Sequence, residues 1–119
     1  MAVVVKRKLS GSTDGKPIKV VQTATAGTTI HTAVAGTTAG TFDEIWLWAY
    51  NGHTEDVQLT IEFGGATVPD QNIIFTVAYK QGLIPIIPGL ILQNEMVVKA
   101  FASVANVITL SGFCNSITD

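Results

Sequence analysis

Apolar and polar residues alternate with a period of two along most of this chain, and that pattern predicts β-strands. In Val57–Phe63, Val, Leu, Ile and Phe alternate with Gln, Thr and Glu. Such a strand has one face in the core and the other in water. Residues Met96–Val104 follow the same rule, with Lys99 and Ser103 on the polar side. Because no segment has the period of an amphipathic helix, we predict an all-β protein.

Turn residues divide this pattern into eight or nine short strands, counting two apolar pieces near residue 88 as one strand. Strands at this spacing predict a single-domain antiparallel β-sandwich or barrel. The predicted segments are Ala2–Val5, Ile18–Thr23, Thr28–Val34, Ile45–Tyr50, Val57–Phe63, Ile73–Tyr79, Leu83–Ile87, Leu90–Gln93, Met96–Val104 and Val107–Leu110.

The pair Asn51-Gly52 separates two apolar runs near the centre of the chain, and this is a strong signal for a β-hairpin. The run before it is apolar on both faces, because Trp46 and Trp48 alternate with aliphatic residues. Such a strand lies inside a sandwich or presents one face to a partner. We interpret the tryptophans first as core residues, with an interface as the alternative.

The segment Leu83–Leu92 contains no polar side chain. It is too short to span a membrane, which needs about 20 apolar residues. Pro85 and Pro88 exclude a regular helix, and Pro88-Gly89 predicts a turn between two extended pieces. Because proline is confined to strand starts, bulges and sheet edges, the segment is predicted at the rim of the sandwich. We expect most of it to be core and the remainder to contact a partner.

The composition is 47% hydrophobic and 13% charged, with fifteen threonines, which favours a β protein whose surface is part-covered in its working state. Charge is unevenly distributed along the chain. Residues 1–19 carry five cations and one acid (5 − 1 = +4), and residues 20–119 carry two cations and eight acids (2 − 8 = −6). We therefore predict a basic N-terminal arm and loop, 1–16, followed by a β-sandwich domain, 17–119. The arm could dock on an acidic neighbour or on another copy; the alternative is an ordinary solvated strand.

Other features restrict the function classes. A net charge of −2 argues against a dedicated nucleic-acid binder. Cys114 is the one cysteine, so no intramolecular disulfide forms, and we interpret it as a buried apolar residue of a protein made in a reducing cytoplasm. The N-terminal charges follow an apolar run, the reverse of a signal peptide, so we do not expect secretion.

Candidate catalytic chemistry is sparse. His31 and His53 lack the ligand spacing of a zinc site, and the glycines lack a phosphate-binding context, so no metal or cofactor is predicted. Two acidic pairs, Asp43-Glu44 and Glu55-Asp56, are interpreted as solvated acids beside turns. The sequence therefore predicts a non-enzymatic protein with no catalytic residues.

The order of features between residues 42 and 113 resembles small virion structural proteins of tailed bacteriophages. The resemblance is carried by FDEIWLWAYNGHTEDVQLTIEFGG, then GLIPIIPGLIL, then NEMVVKAFASVANVITLSGF. It is most similar to the jelly-roll-like capsid decoration, or cement, proteins. That resemblance implies a protein on the outer surface of the mature capsid, made in the host cytoplasm, that stabilises the shell. The implied partners are the major capsid protein and other copies of the chain in a homotrimer, without nucleic acid or membrane.

In that family an N-terminal arm often reaches the shell or the next subunit, and Ala2–Lys8 would take that part here. The candidate interaction residues are Lys6, Arg7, Lys8, Trp46, Trp48, Pro85 and Pro88. The resemblance also suits a tail or head–tail-junction β-sandwich protein that binds a glycan or receptor, with Trp46, Trp48 and Tyr50 as a stacking platform. A small glycosidase-like enzyme using the two acidic pairs is the third hypothesis.

Overall fold

In the computed structural model, which describes residues 2–119, the chain forms nine β-strands and no helix. The strands are β1 (Val3–Lys8), β2 (Ile18–Lys19), β3 (Thr28–Thr32), β4 (Phe42–Asn51), β5 (Val57–Phe63), β6 (Asn72–Val77), β7 (Ile84–Leu92), β8 (Val97–Ala102) and β9 (Ile108–Thr118). The all-β prediction is confirmed. No helix within the described residues is long and apolar enough to cross a membrane.

The strands form two antiparallel sheets that pack as a sandwich. Sheet A has the order β1-β9-β4-β7, with β2 also paired to β9, and sheet B has the order β3-β8-β5-β6. If the short β2 is left out and the other eight strands are numbered 1 to 8 in chain order, sheet A has the order 1-8-3-6 and sheet B the order 2-7-4-5. This is the strand order of a jelly roll. Consecutive strands therefore mostly alternate between sheets.

The core lies between the sheets and comes from the inward half of each alternating strand. Ile45, Leu47 and Ala49 of β4 belong to the same core cluster as Leu59 and Ile61 of β5, and all five are at most 1% exposed. The predicted pattern of β8 is confirmed, since its inward residues are buried: Val98, Ala100 and Ala102.

The predicted hairpin at Asn51-Gly52 is wrong, because β4 belongs to sheet A and β5 to sheet B. A two-residue hairpin of this type needs positive φ at both turn residues, and neither Asn51 nor Gly52 has it. Instead Asn51 is fully buried and fixes the crossover. Its Nδ2 donates to the carbonyls of Glu55 (3.0 Å) and Val77 (2.8 Å), and its Oδ1 accepts from the backbone N–H of His53 (2.8 Å).

Two details of Leu83–Leu92 are also corrected. Pro88-Gly89 is not a turn: β7 is one strand along the edge of sheet A, and two register shifts against β4 absorb its irregularity. Gly89 has φ +78, a value that lets the chain continue through this region. Only Ile86 and Ile87 are buried, so most of the segment is rim and not core. The edge position that the prolines predicted is confirmed.

Most of the basic N-terminal segment 1–16 is visible as β1 and the loop that follows; its first residue, Met1, lies outside the described residues. β1 pairs with β9 over its whole length, from Val3 opposite Thr118 to Lys8 opposite Phe113. Leu9, directly after β1, is buried in the core. The segment thus adds an edge strand to sheet A.

Candidate functional site: the outer face of sheet A

The two tryptophans lie on the outer face of sheet A. Along β4 every second residue is buried, and Trp46 and Trp48 occupy the alternate, half-buried positions. Their interpretation as core residues is therefore wrong. Because a strand directs successive side chains to opposite faces, the aliphatic residues between them fill the core and leave the indole rings outside.

Phe113 of β9 joins the two indole rings into one aromatic surface. Its ring centroid lies 6.2 Å from that of Trp46, with the planes 15° apart, and 6.0 Å from that of Trp48, with the planes 27° apart. These distances lie in the range of favourable offset stacking. Phe113 reaches this position beside Gly112, where a Cβ atom would collide with the carbonyl oxygen of Trp46. We call Trp46, Trp48 and Phe113, with Phe42 and Tyr50 on the same side of β4, the aromatic face.

A basic side chain lies over Phe113, the ring shared by the two stacking contacts. The Lys6 Nζ atom lies 4.3 Å from the centre of the Phe113 ring, a cation–π contact. Lys6 is on β1 opposite Asn115, and Asn115 is opposite Glu44 on β4. The outer face therefore combines aromatic rings with one cross-strand row of polar groups.

Glu44 fixes the orientation of Trp46. Its Oε1 atom accepts hydrogen bonds from the indole Nε1 of Trp46 (2.7 Å) and from Nδ2 of Asn115 (3.1 Å). These two hydrogen bonds hold the pKa of the Glu44 carboxyl below its usual range, and the bond from the Trp46 indole has the larger effect. Glu44 therefore stays ionised at neutral pH, and a charge-assisted hydrogen bond along β4 holds the Trp46 ring.

The edge strand β7 extends the aromatic face toward the rim. Pro88 and Pro85 are the β7 partners of Trp46 and Trp48 in the ladder. The Trp46 ring lies over Gly89, where an added Cβ would approach its Cζ2 atom to 2.8 Å. Ile91, the partner of Glu44, is 56% exposed. A shallow cavity of about 320 Å³ continues beyond it, lined by Phe42, Ile91 and Met96 among others.

The structure thus brings most of the predicted interaction residues to one surface. Lys6, Trp46, Trp48, Pro85 and Pro88 all lie on or beside the aromatic face. The other two cations make different contacts, although Lys8 is the β1 partner of Phe113. Lys8 donates from Nζ to the carbonyl of Ser12 (3.1 Å), and Arg7, opposite Cys114, lines a cleft between the two sheets.

Sequence reasoning missed Phe113, Glu44 and Asn115. The signal for Phe113 and Asn115 was the alternation around Cys114: a buried cysteine in a strand places both of its neighbours on the outer face. Glu44 was interpreted only as one of a pair of acids. Its role depends on Trp46 two residues later and on a strand 71 residues away, which local pattern does not identify.

The cleft beside Arg7 leads to a second polar cluster, which is buried. The cleft has a volume of about 430 Å³ between β1 and β3, and His31 and Asp43 form part of its lining. His31 Nδ1 accepts from the Ser10 backbone N–H (3.0 Å), so the ring proton is on Nε2, which donates to Asp43 Oδ2 (2.7 Å). Asp43 Oδ2 also accepts from the Val34 N–H (3.2 Å). The second carboxylate oxygen, Oδ1, is buried and has no hydrogen-bond partner within residues 2–119.

Cys114 completes this cluster. The ligand-type atoms of His31, Asp43 and Cys114 lie within 4.8 Å of one another, and all three residues are buried. Desolvation, followed by the charge of Asp43, raises the pKa of the Cys114 thiol to about 11, against a smaller opposite effect of Arg7. The thiol is therefore protonated at neutral pH and is a weak nucleophile.

These three side chains match the donor types of a zinc site, but the hydrogen bonds oppose coordination. A metal on Nε2 of His31 would require the ring proton on Nδ1, the atom that already accepts from Ser10. Coordination would also require removal of the Cys114 proton. The cluster as built is a hydrogen-bonded support between β3 and β4.

The acidic pairs do not converge on a common cleft. Asp43 points into the sandwich and Glu44 points out, because they are adjacent on one strand. Asp56 accepts from the Tyr79 backbone N–H (3.2 Å) at another end of the molecule. Glu62, predicted to face water, is instead buried: Oε1 accepts from the Gly27 N–H (2.6 Å) and Oε2 from the Thr25 hydroxyl (3.0 Å).

Comparison with known proteins found no matching family model, no matching curated protein and no matching solved structure.

Proposed function

We propose that this protein is a non-enzymatic virion structural protein of a tailed bacteriophage that binds the outer surface of the capsid and stabilises the mature shell. The observation that carries the proposal is the aromatic face, an ordered set of stacked rings on the outside of a sheet. Within residues 2–119 no other element packs over it. Aromatic side chains with one buried and one exposed edge are the usual anchors of protein interfaces.

The chemistry of this face favours a protein partner. Trp46 and Phe113 are already fixed by stacking and by Glu44, so little side-chain entropy remains to be lost on binding. Glu44 and Lys6 offer one charge of each sign beside the rings and set the orientation of the partner. The proposed partner is the major capsid protein, and the proposed site of action is the capsid surface, reached after synthesis in the host cytoplasm.

Many weak contacts acting together suit this role. A homotrimer, as the resemblance to cement proteins implies, would present three aromatic faces at once, so that a modest affinity per subunit becomes durable attachment. The low charge of the chain suits a surface that is covered in the assembled particle. In this proposal the basic segment 1–16 contributes Lys6 to the contact while β1 stays paired with β9.

The test is co-sedimentation of the purified protein with expanded, DNA-filled capsids of its phage and, in parallel, with unexpanded shells. The proposal predicts saturable, many-copy binding to expanded capsids and weak binding to unexpanded ones. Absence of binding to both would contradict it. Deleting residues 1–9 would also remove β1 and buried Leu9, so the contribution of the basic segment is better measured with a variant carrying Lys6→Ala, Arg7→Ala and Lys8→Ala.

A second candidate, a tail or head–tail-junction protein that binds a glycan or receptor, is favoured by the same rings. Trp48 and Tyr50 lie two residues apart on one strand face, a spacing suited to stacking against a sugar. A glycan array and phage adsorption with Trp48→Ala distinguish the two. A glycan hit together with reduced adsorption would favour the tail protein. The absence of both effects would exclude the tail protein.

A further inference from the structure

Within the described residues the two sheets have four edges, and three of these edges carry features that block pairing with another strand. β1 has three consecutive cations, Lys6 to Lys8, and β7 has Pro85 and Pro88. β3 is covered by the loop that follows β1, where the Gly11 N–H donates to the Ile30 carbonyl (2.9 Å) and the Ser10 hydroxyl accepts from the Thr32 N–H (2.7 Å). Charges, prolines and covering loops are the usual means by which proteins prevent edge-to-edge association.

The fourth edge, β6, has none of these features. Its sequence, NIIFTV, contains no charged residue and no proline. Among the described residues it pairs with β5 alone and is the last strand of sheet B. Ile74, near its centre, is 56% exposed. An uncharged, β-prone and accessible edge strand favours strand addition.

The hydrogen-bond pattern shows which backbone groups face outward. The Phe63 N–H donates to the Gln71 carbonyl (2.8 Å), so residues 63 and 71 form a hydrogen-bonded pair. Such pairs alternate along an antiparallel ladder. Residues 73, 75 and 77 therefore bond to β5, and the N–H and carbonyl groups of Ile74 and Thr76 point away from the sheet.

We propose that β6 is a self-association edge that pairs antiparallel with β6 of a second copy of this chain. The occupant is indicated by the charges that flank the strand. Asp70 lies before β6 and Lys80 after it, both exposed, with no other formal charge between them. Antiparallel pairing about a two-fold axis through Phe75 brings the turn that holds Asp70 in each copy toward the turn that holds Lys80 in the other. Parallel pairing would place like charges together.

In the same register Ile74 of one copy pairs with Thr76 of the other, so the outward backbone groups of both strands meet. Two copies would then share one continuous eight-stranded sheet built from two four-stranded sheets. The edge belongs to sheet B, so both aromatic faces stay free. The inference does not depend on the proposed capsid function.

The first test is sedimentation equilibrium over a wide concentration range with a matched pair of variants. Ile74→Lys places a cation on the edge, and Ile91→Lys makes the same change at an equally exposed position of sheet A (both 56%). We expect Ile74→Lys to weaken two-fold association at least about tenfold and Ile91→Lys to leave it unchanged. If a three-fold contact also forms, Ile74→Lys should halve the mass of the assembly. Wild-type protein that does not associate, or association equally affected by both variants, would overturn the inference.

The second test uses the charges and examines the register. Asp70→Lys alone should weaken association, and adding Lys80→Asp should restore it. Aspartate is chosen because position 80 has φ +53, which aspartate tolerates better than most residues. Both positions are exposed, so circular dichroism should show the fold unchanged. Failure of the double variant to restore association would exclude this antiparallel register.

Discussion

Trp46 and Phe113 stack across neighbouring strands, with ring centroids 6.2 Å apart and planes 15° apart, on the side of sheet A that faces away from the core. Two neighbouring residues, Gly89 and Glu44, hold the Trp46 ring in this position. Gly89 gives the Trp46 ring space to lie over β7, and Glu44 accepts the indole N–H. Aromatic residues held in this way have little side-chain freedom left to lose if another surface packs against them.

Replacing Phe113 by alanine should lower the free energy of unfolding by about 1–2 kcal/mol, because two stacking contacts and part of the apolar burial are lost. Emission of Trp46 and Trp48 should move to longer wavelength, since both lose the same neighbour. Urea unfolding followed by fluorescence measures both. The control is Phe101→Ala, a half-buried phenylalanine on sheet B with no stacked ring among the described residues. Equal losses would mean that stacking adds nothing.

His31→Ala should be more costly, at about 3 kcal/mol. It removes the 2.7 Å donor to Asp43 and leaves a buried carboxylate that already has one unpartnered oxygen. His53→Ala, in the half-buried loop after β4, provides the comparison and should change stability by less than about 1 kcal/mol. Chemical denaturation measures the free energy of unfolding of both variants. An equal loss in the two variants would contradict this account.

Cys114 should make stability fall at alkaline pH. The folded pKa of about 11 is above the ordinary value of 9.0, so the thiol is stabilising below pH 9 and that contribution is lost as pH rises toward 11. The loss should reach about 2–3 kcal/mol by the end of that interval. Cys114→Ala should lack this component of the pH profile, and a profile unchanged by the substitution would contradict the assignment. At pH 8 the native thiol should react with a disulfide reagent far more slowly than the unfolded one.

Glu62→Gln should loosen the loop before β3. The amide replaces one of two carboxylate oxygens that hold Gly27 and Thr25, so we expect a loss of about 1–2 kcal/mol. Hydrogen exchange at the Gly27 amide should accelerate more than exchange in β5. Glu55→Gln, at an exposed position, should leave both quantities unchanged. Unaltered protection of Gly27 in Glu62→Gln would mean that the carboxylate does not hold the loop.

The fold class and many strand positions were predictable because the period of two depends on local sequence. The inward residues of β5 and β8 and the edge position of the proline-rich β7 follow from residue type alone. The predicted hairpin was wrong because long-range contacts hold Asn51, and the local Asn-Gly signal does not contain them. Here Asn51 is fully buried and bonds to Val77, 26 residues away.

The candidate site was only partly predictable for a related reason. That β4 is apolar on both faces was visible, but which face is covered depends on the pairing of β4 with β9 and on the packing of sheet B. Glu62 was predicted to be exposed because it is charged. It is buried instead, because a loop distant in sequence donates two hydrogen bonds to its carboxylate. Long-range partners decide these positions, and local pattern does not contain them.

The central claim, that the outer face of sheet A contacts the shell, is tested most directly by titrating expanded capsids with Ile91→Lys and Ile74→Lys. The two positions are equally exposed, one beside the aromatic face and one on the edge of sheet B. We predict at least about tenfold weaker capsid binding for Ile91→Lys. At protein concentrations too low for pairing through β6, we predict wild-type binding for Ile74→Lys. Wild-type binding by Ile91→Lys, or an equal loss in both variants, would contradict the claim.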